Sequence, residues 1–165
     1  YVLDRSGSMS NHNAIRVAKR ELLASLQRLD ATQQFQIIFY SNNIVSMKTG
    51  TKRDRMLWAT DVNRTMASQF IGGIQTDGGT DHLPALRAAL KYSPDVIFFL
   101  TDADEPRLTA KNLDSIKRLN RGGTRIHCIE FGIGPGLKKV DNFLKKLARQ
   151  SDGTYQYRDV SRFGR

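Results

Sequence analysis

Five apolar residues in succession, Val96-Ile97-Phe98-Phe99-Leu100, constrain this chain more than any other segment. No polar residue interrupts the run, so a strand built from it must be covered on both faces, as in a parallel sheet flanked by helices. The surrounding sequence supplies those helices. Ile15, Ala18, Leu22, Leu26 and Leu29 recur at spacings of three and four over about residues 13–29. Leu83, Leu86 and Leu90 do so over about 82–91, followed by Leu113, Ile116 and Leu119, and by Val140, Phe143, Leu144 and Leu147. A fifth helix is expected over 54–70. Further strands are expected at Val2-Leu3, Phe35 to Tyr40, Ile44 to Met47, Ile126 to Phe131 and Thr154 to Tyr157. Ser41-Asn42-Asn43 turns the second strand back into the third, which makes an antiparallel edge. Alternating strands and helices predict a doubly wound, Rossmann-like α/β fold with helices on both faces. Its six strands, with right-handed crossovers, take the order 3-2-1-4-5-6.

A chain of 165 residues fits one domain spanning residues 1–165. It can bury about 70% of its unfolded surface, so no disulfide or zinc staple is needed. The single cysteine, Cys128, lies inside an apolar run and reads as a small buried hydrophobe, which excludes a disulfide scaffold. No apolar run approaches the roughly 20 residues of a membrane span. The sequence opens on the tail of an apolar strand without an initiator Met, so it is expected to be a segment of a longer protein with its first strand cut short. Basic residues outnumber acidic ones by 26 to 16, and the excess is local. Residues 107–165 hold fourteen basic and five acidic groups, whereas residues 31–106 hold seven and eight.

Three separated pieces fall where a strand ends or a helix begins. Asp4-Arg5-Ser6-Gly7-Ser8 follows the first strand, Gly78-Gly79-Thr80-Asp81 precedes the third helix, and Thr101-Asp102-Ala103-Asp104 follows the most apolar strand. Ligands of open doubly wound sheets sit outside the carboxyl ends of the strands, where the strand order reverses. With the first and fourth strands adjacent, Asp4 and Asp102 come together there, and the Thr80 loop reaches in from the side. Two carboxylates and hydroxyls, with no His or Cys, suit a hard cation such as Mg2+. Neutral hydroxyls donate little charge, so the metal stays electrophilic toward an incoming carboxylate.

These pieces, Asp4-x-Ser6-x-Ser8, Thr80 after Gly-Gly and Thr101-Asp102, resemble the metal-ion-dependent adhesion site (MIDAS) of von Willebrand factor A domains. The resemblance runs the length of the chain with the pieces in family order. It implies that Ser6 and Ser8 are direct hydroxyl ligands and that Thr80 binds directly when a partner is engaged. Asp4 and Asp102 would act largely through water. The remaining position would go to a Glu or Asp of a protein partner, with Mg2+ as the cation (Mn2+ or Ca2+ as substitutes) and no catalysis. Asp81 and Asp104 are candidates for an outer shell. Two departures stand out. Ala103 occupies a position where the family usually has Gly, and the C-terminal helix that drives the affinity switch of integrin-type members is expected to be absent. Members occur outside cells, on bacterial surfaces and inside cells, so location stays open, with a leaning toward a membrane-anchored or extracytoplasmic parent.

Other readings of these residues stand beside this one. Ser10 or Asn13 could cap the first helix and Asp81 the third. An electrophilic Mg2+ on an α/β sheet could serve a hydrolase of phosphate esters, although no His, Lys or Cys in the three pieces is placed as nucleophile or base. Phe131-Gly132-Ile133-Gly134-Pro135-Gly136 imitates a dinucleotide loop, but Pro135 offers no N–H, so it reads as a plain turn. His12, His82 and His127 read as structural, the Asn63-Arg64-Thr65 sequon as chance, and Trp58 and Met56 as core or hinge packing. Lys138, Lys145 and Arg149, with Lys139 and Lys146 beside them, are placed on the exposed side of the last helix, where Asp141 supports Lys145. Lys117, Arg118, Arg121 and Arg125 form a second basic cluster. Together they read as a solvated face or as a contact for an acidic partner. Without interleaved aromatic residues, sequence-specific nucleic-acid recognition is not expected, and no membrane contact is expected of the domain itself.

Overall fold

The computed structural model describes residues 1–48, 50, 55–103, 106–135 and 142–161. The described elements are β1 (Val2–Asp4), a 3-10 segment (Gly7–Asn13), α1 (Ala14–Gln27), β2 (Gln34–Phe35), β3 (Ile38–Tyr40), β4 (Ile44–Ser46) and β5 (Leu57–Trp58). They continue with α2 (Asp61–Gly73), α3 (His82–Leu90), β6 (Val96–Thr101), α4 (Ala110–Leu119), β7 (Arg125–Gly132), α5 (Phe143–Gln150) and β8 (Tyr155–Asp159). Six strands form one sheet in the order β4-β3-β1-β6-β7-β8. That is the expected 3-2-1-4-5-6 arrangement, and β4 is its antiparallel member. β1 lies between two parallel neighbours, with Leu3 opposite Phe39 of β3 and Leu100 of β6.

Alternation along the apolar central strands sends successive side chains into two separate cores. Val2, Ile38, Ile97, Phe99, Ile126 and Cys128 pack under α3, α4 and α5 through Leu86, Ile116 and Leu144. Leu3, Ile37, Phe39, Leu100 and Phe131 pack under α1 and α2 through Leu22, Leu26, Ala67 and Ile71. Burial pushes the Cys128 thiol far up, so it behaves as the small hydrophobe that its surroundings imply. Among the described residues no helix is long and apolar enough to cross a membrane.

Three local expectations are corrected. The strand expected over 35–40 is broken at Gln36, which is buried. Its amide Nε2 donates to the carbonyls of Met47 (3.3 Å) and Arg55 (3.0 Å), and its Oε1 accepts the Ile37 N–H at 2.7 Å. Satisfying a buried amide in this way consumes backbone groups that a continuous ladder would use. β2 therefore leaves the main sheet and pairs antiparallel with β5. The helix expected over 54–70 is the second correction. Leu57–Trp58 is strand, and α2 begins only at Asp61, where Thr60 Oγ1 accepts the Asn63 N–H at 3.3 Å. Third, Trp58 is not core packing, since it stands 52% exposed on the small sheet. The sequon at Asn63 falls inside α2, and the Asn63 amide donates to the Trp58 carbonyl at 2.8 Å.

On the basic flank, Lys146 and Arg149 are exposed, but Lys145 is half-buried and lies 5.1 Å over the ring of Tyr155. Lys138, Lys139 and Asp141 lie outside the described residues. The turn from α5 into β8 is held by a close approach. A Cβ on Gly153 would enter the van der Waals radius of the Ile126 carbonyl on β7, a backbone group that cannot swing away. Gly153→Ala should therefore cost about 2–4 kcal/mol of stability, read as a lower midpoint in urea unfolding. A neutral outcome would mean that β8 can shift away from β7.

Candidate metal centre

Asp4 ends β1 with no exposure to solvent. Its carboxylate is matched on both oxygens. Oδ1 accepts the Ser6 N–H at 2.8 Å and Oδ2 accepts the Thr101 hydroxyl at 2.7 Å. The first bond is what an Asp followed by a turn makes with its own backbone two residues on. It curls the chain so that Ser6 and Ser8 follow at the sheet's edge, with their Oγ atoms 3.1 Å apart. The 3-10 segment starts here, with Ser10 Oγ donating to the Gly7 carbonyl at 2.6 Å. Neither Ser10 nor Asn13 caps α1 through its side chain. Asn13 precedes the helix with a left-handed backbone (φ +58°) and makes no side-chain cap.

Backbone bonds stitch the second piece to the first. The Gly7 N–H donates to the Gly78 carbonyl at 2.9 Å, and the Asp77 N–H donates to the Arg5 carbonyl at 2.8 Å. Gly78 has φ +70°, a conformation that glycine adopts without steric cost. Thr80 is 8% exposed. Asp81 is exposed and makes no side-chain cap of α3, so capping does not account for it.

In the third piece Thr101 closes β6, and its hydroxyl, besides donating to Asp4, accepts the Ala103 N–H at 3.1 Å. Asp102 follows, half-buried. Ala103, where the family usually has Gly, takes φ +59°, a left-handed backbone that costs an L-residue about 1–2 kcal/mol. Its bond to Thr101 and its packing against the core under α3–α5 offset that strain. Asp104 lies outside the described residues.

Electrostatics tie the first and third pieces together. Burial, with the Asp4 carboxylate next and Asp102 beyond it, holds the Tyr40 phenol well above the usual tyrosine range. Both carboxylates thus bear on one hydroxyl. That hydroxyl lies 2.8 Å from Nδ1 of His82, a fully buried ring packed among Tyr40, Phe99 and Phe143. From sequence, Asn42 reads only as a turn residue and His82 only as structural, and neither Tyr40 nor the donor role of Thr101 is assigned to the site. Tyr40 offered one signal, being a polar-tipped residue at the sheet edge of an otherwise apolar strand.

Among the described residues no three Asp, Glu, His or Cys side chains form a ligand cluster, so a cation here depends on hydroxyl oxygens. The donor set is compatible with one. Adjacent ligands of an octahedral Mg2+ at 2.0–2.1 Å stand about 2.8–3.0 Å apart, close to the separation of the Ser6 and Ser8 hydroxyls. Thr101→Val should remove the hydroxyl that a buried carboxylate depends on and cost about 1–3 kcal/mol, whereas Thr101→Ser should restore most of it. Equal losses in urea unfolding for both variants would place the effect in the methyl's packing.

A family model described as the von Willebrand factor type A domain matches residues 1–157. Inter-alpha-trypsin inhibitor heavy chain H2 of Mesocricetus auratus is 25% identical over 169 residues, covering 94% of this chain. The chain spans 17% of that relative's length. A solved von Willebrand factor type A structure from Catenulispora acidiphila superposes with a TM-score of 0.80 at 22% identity, over 99% of this chain and 39% of the other. Proximal thread matrix protein 1 from the mussel byssus, described with a zinc-occupied MIDAS motif, gives a TM-score of 0.62 at 17% identity, over 96% and 40% of the two chains. At such identities the structural likenesses speak for the fold alone, and the family rests on the match to residues 1–157. This chain belongs to the von Willebrand factor type A domain family.

Proposed function

We propose that this chain is a non-enzymatic binding module that grips an acidic side chain of a protein partner through a divalent cation. Ser6, Ser8 and Thr80 would supply hydroxyl ligands, and Asp4 and Asp102 would act through water. Mg2+ fits the oxygen donors, with Mn2+ or Ca2+ as substitutes. The zinc in the mussel relative's motif makes the ion a matter for measurement. The observation that carries the reading is the bonded set Asp4–Ser6–Ser8–Thr101, to which the Thr80 loop is joined through Gly7 and Arg5. A cation bound there would supply Lewis acidity toward a carboxylate. The residues themselves hold and orient, and the three pieces contain no His, Lys or Cys to serve as nucleophile or general base.

Arg5 lies between Asp4 and Ser6 in the turn after β1, and its guanidinium donates to the Gln75 carbonyl at 3.2 Å. A fixed positive charge beside the site favours an anionic ligand over a cationic one. The helices α4 and α5 cover one face of the sheet, and the basic residues that they expose offer a second, salt-screened contact to an acidic partner.

Calorimetric titration of Mg2+, Mn2+, Ca2+ and Zn2+ into the domain tests the reading directly. One site is expected, weakened at least about tenfold by Ser6→Ala and by Asp102→Ala. The fold is expected to survive, because Asp102 lies in a loop after β6 and Ser6→Ala keeps the backbone N–H that Asp4 accepts. Binding unaffected by either variant, or turnover of generic phosphate esters with Mg2+, would sink the proposal.

A further inference from the structure

The three sequence pieces leave out the strand end that touches the Thr80 loop most. β3 finishes at Tyr40, and the chain continues through Ser41 and Asn42. The Tyr40 hydroxyl bonds Nδ1 of His82 at 2.8 Å. The Ser41 carbonyl accepts the Asp81 N–H at 3.1 Å. Asn42 Oδ1 accepts the Gly79 N–H. Three consecutive residues thus hold positions 79, 81 and 82, while the turn after β1 holds positions 77 and 78. Thr80 stands in the middle, bracketed on both sides.

The glycines are fitted to this hold. A Cβ on Gly78 would lie 2.8 Å from Asn42 Oδ1, and one on Gly79 would lie 3.1 Å from it. Gly78-Gly79 therefore lets the Asn42 amide approach the loop backbone closely. The same pair would be the loosest link in the loop without an anchor, because glycine has the most conformational freedom to lose on ordering. A neutral hydroxyl is a weak metal ligand, so its contribution depends on being held within a fraction of an ångström of its place.

We infer that Tyr40-Ser41-Asn42 is a clamp that fixes where Thr80 stands, which makes Tyr40 and Asn42 positioning residues for the cation site. The inference rests on the proposal that Thr80 is a metal ligand. Asn42 is exposed, so its side chain can be removed without opening the core. Tyr40 is buried, and Tyr40→Phe keeps its ring while removing only the hydroxyl.

Two measurements on the 165-residue domain test the clamp. Amide hydrogen exchange without metal should quicken several-fold across Gly79 to His82 in Asn42→Ala and Tyr40→Phe, and stay unchanged in α5. Mg2+ affinity from calorimetry should fall about tenfold in Asn42→Ala. In a Thr80→Ala background the same Asn42→Ala change should have no further effect, because both act through one oxygen. Unchanged exchange and affinity in a folded Asn42→Ala would overturn the clamp. So would an affinity loss that adds fully to that of Thr80→Ala. A parent domain that binds no Mg2+ would instead overturn the metal reading, and the exchange arm would still decide whether the clamp holds the loop.

Discussion

Much of this molecule follows from one buried carboxylate. Asp4 sits at the end of the central strand, out of contact with water, where an unmatched charge would cost several kcal/mol. Two donors offset that cost, and each fixes a larger piece of structure. The Thr101 hydroxyl is available only if β6 lies beside β1 in the register that pairs Leu3 with Leu100. The Ser6 N–H is available only if the chain turns sharply after the strand, and that turn sets the two serine hydroxyls side by side at the sheet edge. Strand order, register and loop shape are therefore coupled through one side chain.

The two halves of the fold are divided accordingly. Below the edge, the central strands are apolar on both faces and sort their side chains into two cores, one under α1 and α2 and one under α3, α4 and α5. At the edge, polar groups meet in a connected set running from Ser8 through Ser6 and Asp4 to Thr101. Tyr40 joins the levels. Its ring packs against Phe99, while its hydroxyl bonds His82 just after the Thr80 loop. A buried network of this kind favours one arrangement over alternatives because every unmade bond inside it is costly. That would suit the cation site proposed above, where weak hydroxyl ligands need their geometry supplied by the scaffold.

Ala103 shows how such a scaffold absorbs a departure. Its left-handed backbone is the reason glycine is usual there, and the bond from its N–H to Thr101 draws the residue into the same network that holds Asp4. The strain is local, while the bond that balances it reaches the centre of the site.

The sequence by itself determined the fold class, the strand order with its antiparallel edge, and the three pieces that meet at the carboxyl ends of the strands. Those features are written in local patterns: uninterrupted apolar runs, helical spacing, and short polar motifs at their borders. Tertiary structure decided what depends on partners distant in sequence. Gln36 breaks its strand because its amide finds carbonyls at Met47 and Arg55, and Trp58 is exposed because β5 pairs with β2 instead of joining a helix. Asn42, a turn residue on sequence grounds, becomes a support for the Thr80 loop because the β3–β4 turn lies against Gly78 and Gly79. Periodicity reports which face of an element is buried, but not which hydrogen-bonding group waits on the other side. Only the folded chain supplies that group.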